Sequence, residues 1–500
     1  MSAVVNRIVV KTQSGRVEGR VTGGVASFNG LPFAAPPFGR HRFQPPQPAE
    51  PWTGVRNALA WGPVMPQSPY PEPFRSLLGD AGESGEDCLN LNVWTPEPIG
   101  HGLPVMVWIH GGAFLRGSGA MAAYDGSRFA RDGVVCVTIN YRLGADGFLW
   151  LGDGVANLGL LDQVAALRWV QENIEAFGGD PTQVTIFGES AGAFSVATLI
   201  AMPRASGLFQ RAILQSGAGH HVISTETAGL IGRDLCQKLG VQSTREALAA
   251  VPTSRFVDAQ AELAAELAMR PDPTRWGEVA ANGMLFEPVI DGDVVGDRPI
   301  NAIAAGIGAG VDLLIGTTAE EWRFFMVPTG AIDRVTETQL QGLAARRGLD
   351  PALALPTYRA AQPTATPGDL VAAIVTDWFF RIPAIRLAEA QARNGGAPFL
   401  YEFAWRSPLY DGRLGACHAL EIPFVFDNLD RTTSPMTGDR PPQTLADDLH
   451  RAWVHFAATG DPGWPRYDLA QRQVMRFDAN GRVLVSDPDA ATRRLWDGVR

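Results

Sequence analysis

Basic residues are in deficit in this chain. Its 500 residues include 42 Lys and Arg against 52 Asp and Glu, which gives a formal net charge of −10. Nucleic acid is bound through a basic face that meets the phosphate backbone, and an anionic membrane surface attracts blocks of Lys and Arg. The composition therefore argues against both as partners.

Cysteine is also scarce. Cys88, Cys136, Cys236 and Cys417 are widely spaced and form no C-x-x-C pair, so no disulfide framework is predicted, which fits a reducing compartment. The first residues lack the apolar core of a signal peptide. No apolar run approaches the roughly 18 residues that cross a bilayer. We expect a cytoplasmic protein that does not engage a membrane.

The motifs of metal and nucleotide chemistry are missing. None of the eight histidines belongs to an H-E-x-x-H sequence. Neither a G-x-x-x-x-G-K-[ST] loop nor a G-x-G-x-x-G opening a helix is present, and these are the sequences that cradle phosphates. We predict neither a metal nor a cofactor.

Short strands alternating with helices dominate the middle of the chain. Residues 105–109 and 134–139 are continuously apolar and β-branched, as is typical of strands buried on both faces. Residues 160–177 have apolar side chains at helical spacing. This alternation predicts an α/β fold with a mostly parallel, doubly wound sheet. Further strands are predicted at 184–187, 212–215, 313–315 and 399–403, and the last helix at 445–459.

The pattern becomes helical and Ala-rich between about 225 and 285, and strands return after it. A sheet interrupted by a helical insertion favours a single domain over residues 1–500. At the N-terminus, residues 1–35 predict short strands joined by glycine turns. The Pro-rich but aromatic stretch 31–52 predicts an ordered loop, and 63–86 a flap over a site.

One pentapeptide suggests nucleophilic catalysis. Residues 188–192 read GESAG, between a predicted buried strand and a small-residue helical stretch. Strand, sharp turn and helix form the setting in which G-x-S-x-G marks a nucleophile elbow. By itself the pentapeptide also fits a glycine-rich turn with an incidental serine. Ser190 is the candidate nucleophile.

A serine nucleophile needs a base and an orienting carboxylate, which in elbow enzymes follow it in the order acid, histidine. His418 satisfies this order, in a loop after the strand at 399–403, whereas the histidines of the last predicted helix fit core or surface roles better. Glu320 and Glu321 both follow the strand at 313–315. Their rivals Asp291 and Asp293 are more typical of a turn between strands.

Oxyanion donors are expected from the residue after the nucleophile and from a glycine-rich loop after an early strand. Residues 110–114, HGGAF, supply such a loop.

Several long motifs resemble the type-B carboxylesterase and cholinesterase-like family of α/β-hydrolases, over nearly the whole chain. They are FNGLPFAAPPFGRHRF, EDCLNLNVWTP, HGGAF, FGGDPTQVTIFGESAG and ACHALEIPFVF. The resemblance implies the α/β-hydrolase fold, with Ser190 as nucleophile, His418 as base and Glu321 as acid. Glu321 is chosen because the family spacing G-x-x-x-x-E is counted from Gly316. The implied oxyanion donors are the N–H groups of Gly112, Ala113 and Ala191.

Three departures from the family pattern are informative. Trp322 stands where a glycine usually follows the acid. The flap lacks the tryptophan that stacks on choline, and quaternary ammonium recognition needs an aromatic face, so cholinesterase activity is not expected. Cys88 is the first cysteine, whereas members from oxidising compartments pair its equivalent with one upstream. This favours a bacterial-type carboxylesterase inside the cell.

The resemblance implies a serine carboxylesterase that acts on a small-molecule ester and water. A carbamate, amide or polyester hydrolase with the same residues is the alternative. A non-catalytic binding module on this fold is a further one, but such modules typically lose the nucleophile or the base. Four residues resemble substrate-pocket positions, although core positions fit them equally: Met284, Phe286, Phe324 and Phe325. The oligomeric state is left open.

Overall fold

A computed structural model describes residues 6–97, 99–430 and 435–500 of the chain. The strands are β1 (Asn6–Lys11), β2 (Arg16–Thr22), β3 (Val25–Pro32), β4 (Val55–Asn57), β5 (Asn90–Pro96), β6 (Leu103–Ile109), β7 (Val135–Ile139), β8 (Gly179–Glu189), β9 (Arg211–Gln215), β10 (Ile223–Ser224), β11 (Val289–Ile290), β12 (Asp312–Thr318), β13 (Phe399–Phe403), β14 (Gln473–Asp478) and β15 (Gly481–Ser486).

The α-helices are α1 (Phe74–Leu78), α2 (Ser127–Arg131), α3 (Gly144–Phe148), α4 (Leu158–Asn173), α5 (Ala191–Ala201), α6 (Thr225–Leu239), α7 (Arg245–Ala249), α8 (Thr253–Met269), α9 (Pro273–Trp276), α10 (Val279–Asn282), α11 (Pro299–Ala304), α12 (Arg323–Met326), α13 (Glu337–Arg346), α14 (Pro351–Ala361), α15 (Pro367–Thr376), α16 (Ile382–Arg393), α17 (Ile422–Val425), α18 (Gln443–Thr459) and α19 (Ala490–Arg494). A π-helical turn, Asp377–Arg381, joins α15 to α16.

One large sheet organises these elements. Its strand order is β1-β2-β3-β5-β7-β6-β8-β9-β12-β13-β14-β15, with β4 paired to β2. Neighbours are parallel from β7 through to β14 and antiparallel at both ends. The carboxyl ends of β8, β12 and β13 therefore lie along one edge of the sheet, where open α/β sheets place their ligand sites.

The centre of the sheet is apolar because helices cover both of its faces. The side chains of β7 are all buried, and Trp108 of β6 has no exposed surface. The Trp108 ring packs against Phe187 at 4.8 Å and Phe426 at 5.1 Å between centroids. This packed centre is the rigid platform from which the loops at the carboxyl edge project.

The six strands predicted between residues 105 and 403 are confirmed as β6, β7, β8, β9, β12 and β13. The predicted helical insertion is confirmed as α6 to α10, and the sheet resumes because β12 pairs with β9 across it. The prediction that 445–459 is the last helix is wrong, because α19 follows. Helix α19 is a single short turn, so its sequence is too brief to show a helical period.

A second helical block, α12 to α16, separates β12 from β13, and the hairpin β14–β15 closes the sheet. Neither was predicted. Strand β15 lies at the sheet edge and has no fully buried position, so its sequence lacks the apolar run of a central strand. The prediction that residues 1–500 form a single domain stays a prediction.

The N-terminal strands are confirmed as β1 to β3; residues 1–5 of that predicted stretch lie outside the described residues. The loop at 31–52 is ordered, since Phe33, Phe38 and Phe43 are buried in it. All four cysteines are buried and unpaired. Within the described ranges, no helix is both long and apolar enough to cross a membrane.

A buried ion pair ties the loop after β7 to helix α4. The guanidinium of Arg142 donates to both carboxylate oxygens of Asp162 at 2.7 Å, and the two side chains are 1% and 0% exposed. Removing one partner of such a pair leaves a buried charge unpaired. We expect Asp162→Ala to lower the free energy of unfolding by roughly 3–5 kcal/mol, measured by urea denaturation.

The matched control is Glu18→Ala, which breaks the exposed pair between Arg7 and Glu18. Glu18→Ala is expected to lower the free energy of unfolding by less than about 1 kcal/mol. Equal losses of unfolding free energy in the two variants would contradict the expectation that the buried pair is costlier to break than the exposed one.

Candidate active site

Ser190 occupies the sharp turn between β8 and α5. Its backbone angles are φ 57° and ψ −122°, a conformation that L-residues rarely adopt. A Cβ added to Gly188 would lie 2.6 Å from the Ile109 carbonyl oxygen, and one added to Gly192 only 2.0 Å from it. Both glycines of the GESAG sequence are thus required by close backbone contact. Strain of this kind is characteristic of functional positions.

The loop after β12 holds a carboxylate with no solvent exposure. Glu321 is 0% exposed, and its Oε1 accepts a hydrogen bond from the Thr318 N–H at 2.8 Å. Its Oε2 lies 2.6 Å from Nδ1 of His418. Because an ionised carboxylate only accepts, Nδ1 carries the proton and Nε2 of the neutral ring presents a lone pair. Glu321, and not Glu320, thus contacts the imidazole of His418.

A second carboxylate faces the other side of the imidazole. Oε1 of Glu189 lies 3.0 Å from Nε2 of His418, although the contact lacks hydrogen-bond geometry. Burial lowers the pKa of His418, but the carboxylates of Glu189 and Glu321 outweigh burial and raise that pKa. Burial also raises the pKa of Glu189. Sequence reasoning missed Glu189, whose only signal was its position directly before Ser190.

A third buried acid lies behind the ring. Oε1 of Glu421 accepts hydrogen bonds from the Tyr401 hydroxyl at 2.9 Å and from Nε2 of Gln215 at 3.2 Å. Burial, reinforced by the charges of Glu321 and Glu189, raises the pKa of Glu421 to about 8. Glu421 is therefore largely protonated and uncharged at neutral pH. It too was missed, because nothing in the sequence indicates that this side chain turns inward.

The HGGAF loop abuts the elbow. Gly112, Ala113 and Phe114 have φ of 110°, 55° and 57°, so three successive residues adopt left-handed backbone. The turn is closed by the Gly112 carbonyl, which accepts from the N–H groups of Leu115 at 3.1 Å and Arg116 at 3.0 Å. A Cβ on Gly111 would lie 3.1 Å from Cβ of Ser190.

Ala191, directly after Ser190, opens α5, so its N–H has no acceptor within the helix. The HGGAF loop thus packs against Ser190 at Gly111, and Ala191 follows Ser190 directly in the chain. Ser190 itself is only half-buried, so a substrate can reach it from this edge of the sheet.

Aromatic rings surround the imidazole. The centroids of Phe324 and Phe325 lie 6.2 and 5.4 Å from that of His418, and Phe380 is nearer at 4.8 Å. Trp322, the residue in place of the usual glycine, packs on Phe325 at 4.6 Å and extends this wall. Phe380 was missed, because its position depends on how the π-helical turn sits between α15 and α16.

The other two predicted pocket residues are buried, as Phe324 is. Met284 is 6% exposed and Phe286 is 2% exposed. In the part of the chain that the structure describes, neither makes a ring contact with His418. The rivals Asp291 and Asp293 lie in a turn after β11, where Asp291 accepts from the N–H groups of residues 293 to 295.

Known proteins are similar to this chain in sequence and in fold. The model of the carboxylesterase family matches residues 6–494. The chain is 39% identical to para-nitrobenzyl esterase of Bacillus subtilis, over 97% of this chain and 98% of that protein. It is 38% identical to phenmedipham hydrolase of Pseudarthrobacter oxydans, with the same coverage. The crystal structure of a Geobacillus stearothermophilus carboxylesterase has a TM-score of 0.86 at 39% identity, covering 98% of this chain and 99% of that one.

These matches extend over almost the entire chain at more than 30% identity. They confirm the resemblance drawn from the sequence motifs and the predicted α/β-hydrolase fold. The chain belongs to the carboxylesterase family and is a carboxylic ester hydrolase.

Proposed function

We propose that Ser190, His418 and Glu321 are the catalytic triad of this esterase. The observation that carries the proposal is the 2.6 Å contact between Nδ1 of His418 and a fully buried Glu321, on the same sheet edge as the strained Ser190. The backbone N–H groups of Gly112, Ala113 and Ala191 are proposed as the oxyanion donors. In a site without substrate, the bond from nucleophile to base is often long and tightens only when substrate binds.

The proposed reaction is acyl transfer to water in two halves. Nε2 of His418 takes the hydroxyl proton as Oγ of Ser190 attacks the ester carbonyl, and Glu321 stabilises the imidazolium. The backbone donors stabilise the tetrahedral oxyanion. His418 returns the proton to the departing alcohol, which leaves an acyl-enzyme. Water, deprotonated by His418, then cleaves that ester and releases the carboxylate.

The aromatic wall suggests which esters fit. Phe324, Phe325 and Phe380 present apolar ring surface beside the imidazole, which favours an apolar group next to the scissile carbonyl. A pocket role for Met284 and Phe286 stays a prediction, as does a cytoplasmic location. Carbamate, amide and polyester hydrolysis would use the same residues, and no contact in the site favours them over ester hydrolysis.

Ser190 should react covalently with a fluorophosphonate probe. We expect wild-type protein to be labelled at Ser190 and to hydrolyse p-nitrophenyl esters faster than the matched carbamate and amide. Ser190→Ala should lose labelling and at least about 10⁴-fold in kcat, with an unchanged circular dichroism spectrum. A folded wild-type protein that stays unlabelled contradicts the triad.

The two adjacent glutamates should differ sharply. In Glu321→Gln the amide nitrogen replaces a carboxylate oxygen, so the ring is held in the wrong tautomer and kcat should fall by roughly 10⁴-fold. Glu320 faces Arg323 and Arg406 instead of the imidazole. Glu320→Gln is therefore expected to keep most of the turnover. The reverse result, measured by steady-state kinetics, would move the acid role to Glu320.

Glu189 should set the acid limb of the pH profile. The base works only as neutral imidazole, so kcat/KM rises with pH through the pKa of His418. The carboxylate of Glu189 raises that pKa, and Glu189→Gln should lower it. We expect the acid limb of kcat/KM to move to lower pH by roughly one unit.

The matched control is Glu421→Gln. The charge of Glu421 also raises the pKa of His418, but less than that of Glu189 does. Glu421→Gln should therefore move the acid limb in the same direction as Glu189→Gln, but by a smaller amount. A shift in Glu421→Gln but not in Glu189→Gln would contradict the electrostatic assignment.

A further inference from the structure

We propose that the carboxylate of Glu320 is a positioning residue, which fixes the loop carrying His418 against the loop carrying Glu321. The proposal rests on the triad proposed above. It gives the two adjacent glutamates separate tasks. Glu321 orients the imidazole directly, and Glu320 holds the backbone that presents it.

Glu320 pairs with Ala416, two residues before His418. Its backbone N–H donates to the Ala416 carbonyl at 2.8 Å, and its Oε2 accepts from the Ala416 N–H at 3.0 Å. The N–H of His418 donates to the Glu321 carbonyl at 3.3 Å. The backbone between Ala416 and His418 is therefore bonded to the acid loop at both ends, and one of these bonds depends on the Glu320 side chain.

Two arginines hold that side chain in place. Nε of Arg323 lies 2.9 Å from Oε1 of Glu320, and a terminal nitrogen of Arg406 lies 2.5 Å from Oε2. Arg323 is anchored in turn by Asp369 at 2.8 Å and by the Arg413 carbonyl at 2.9 Å. Since both carboxylate oxygens are bound to guanidinium groups, the acceptor for Ala416 is held in a fixed position.

Gly415 leaves the space that this contact needs. Its φ is +69°, and a Cβ added to it would lie 2.5 Å from Oε2 of Glu320. Any other residue there would displace the carboxylate from the Ala416 N–H. The close packing of glycine, carboxylate and backbone amide is local to the two loops.

The contact matters because catalysis depends on alignment. Nδ1 of His418 is fixed by Glu321, but the reach of Nε2 toward Ser190 depends on where the backbone before His418 lies. A displacement of about 1 Å at a reacting group costs up to roughly 10²-fold in rate. Loss of the Glu320 acceptor should therefore lower kcat while leaving the binding surface for substrate in place.

Two substitutions distinguish the length of the Glu320 side chain from its charge. Glu320→Asp keeps the charge but shortens the side chain by one methylene, so it cannot reach the Ala416 N–H. Glu320→Gln keeps the length and an acceptor oxygen but loses the charge. We expect Glu320→Asp and Glu320→Ala to lose roughly 10- to 100-fold in kcat, with KM within about 3-fold of wild type. Glu320→Gln keeps one acceptor oxygen for the Ala416 N–H, so it should lose less in kcat than Glu320→Asp does.

Asp333→Ala is the structural control, because it removes an exposed carboxylate whose partner, Arg413, belongs to the same loop as His418. Its kinetics should match wild type. Glu320 borders a cavity of about 220 Å³, so truncation leaves no sealed void, and melting midpoints report whether each variant is folded. If Glu320→Ala fails to fold, the Asp and Gln variants decide the question.

Three results would overturn the proposal: wild-type kcat in Glu320→Asp, equal losses in the Asp and Gln variants, or a loss that appears in KM alone. Failure of the triad itself is recognised separately, because wild-type protein would then not be labelled by the fluorophosphonate probe. The rate of that labelling should fall in parallel with kcat in Glu320→Asp. Labelling, like catalysis, needs His418 to take the proton of Ser190, whereas Ser190 itself and the oxyanion donors are unchanged.

Discussion

A carboxylate without solvent exposure is the constraint on which the site depends. Glu321 has 0% exposure and is stabilised by one backbone N–H and one imidazole N–H. An ionised group in such surroundings is costly unless it is paired and hydrogen-bonded. The end of β12 and the loop of His418 are therefore held together by the same interaction that orients the ring. Glu421 is compatible with this arrangement because burial keeps it protonated near neutral pH.

The sheet turns this local constraint into a site. Because β8, β12 and β13 are parallel neighbours or near neighbours, the turns that follow them open on one edge. Ser190 lies in a turn whose close backbone contacts require glycine at positions 188 and 192. The HGGAF loop, which follows β6, contacts the same turn. The chemistry proposed for the chain thus draws on distant stretches of sequence that the strand order brings together.

Sequence reasoning identified the parts that have local signals. The central strands are continuously apolar, the elbow has its two glycines, and His418 follows the order expected for a base. It missed Glu189, Glu421 and Phe380, because each acts through neighbours supplied by other elements. A single buried carboxylate looks like any surface glutamate until its partners are known. The choice of Glu321 over Glu320 came from family spacing, whereas the contact of Glu320 with Ala416 is visible only in three dimensions.

The helical block α12 to α16 has a consequence for how the protein matures. Strands β12 and β13 are direct neighbours in the sheet, yet all five helices lie between them in the chain. The acid and the base are thus joined by a long-range contact, whose closure entropy must be overcome before it stabilises anything. The proposed acid and base lie 97 residues apart in the sequence. They are therefore brought together only by tertiary structure, in which β13 pairs with β12.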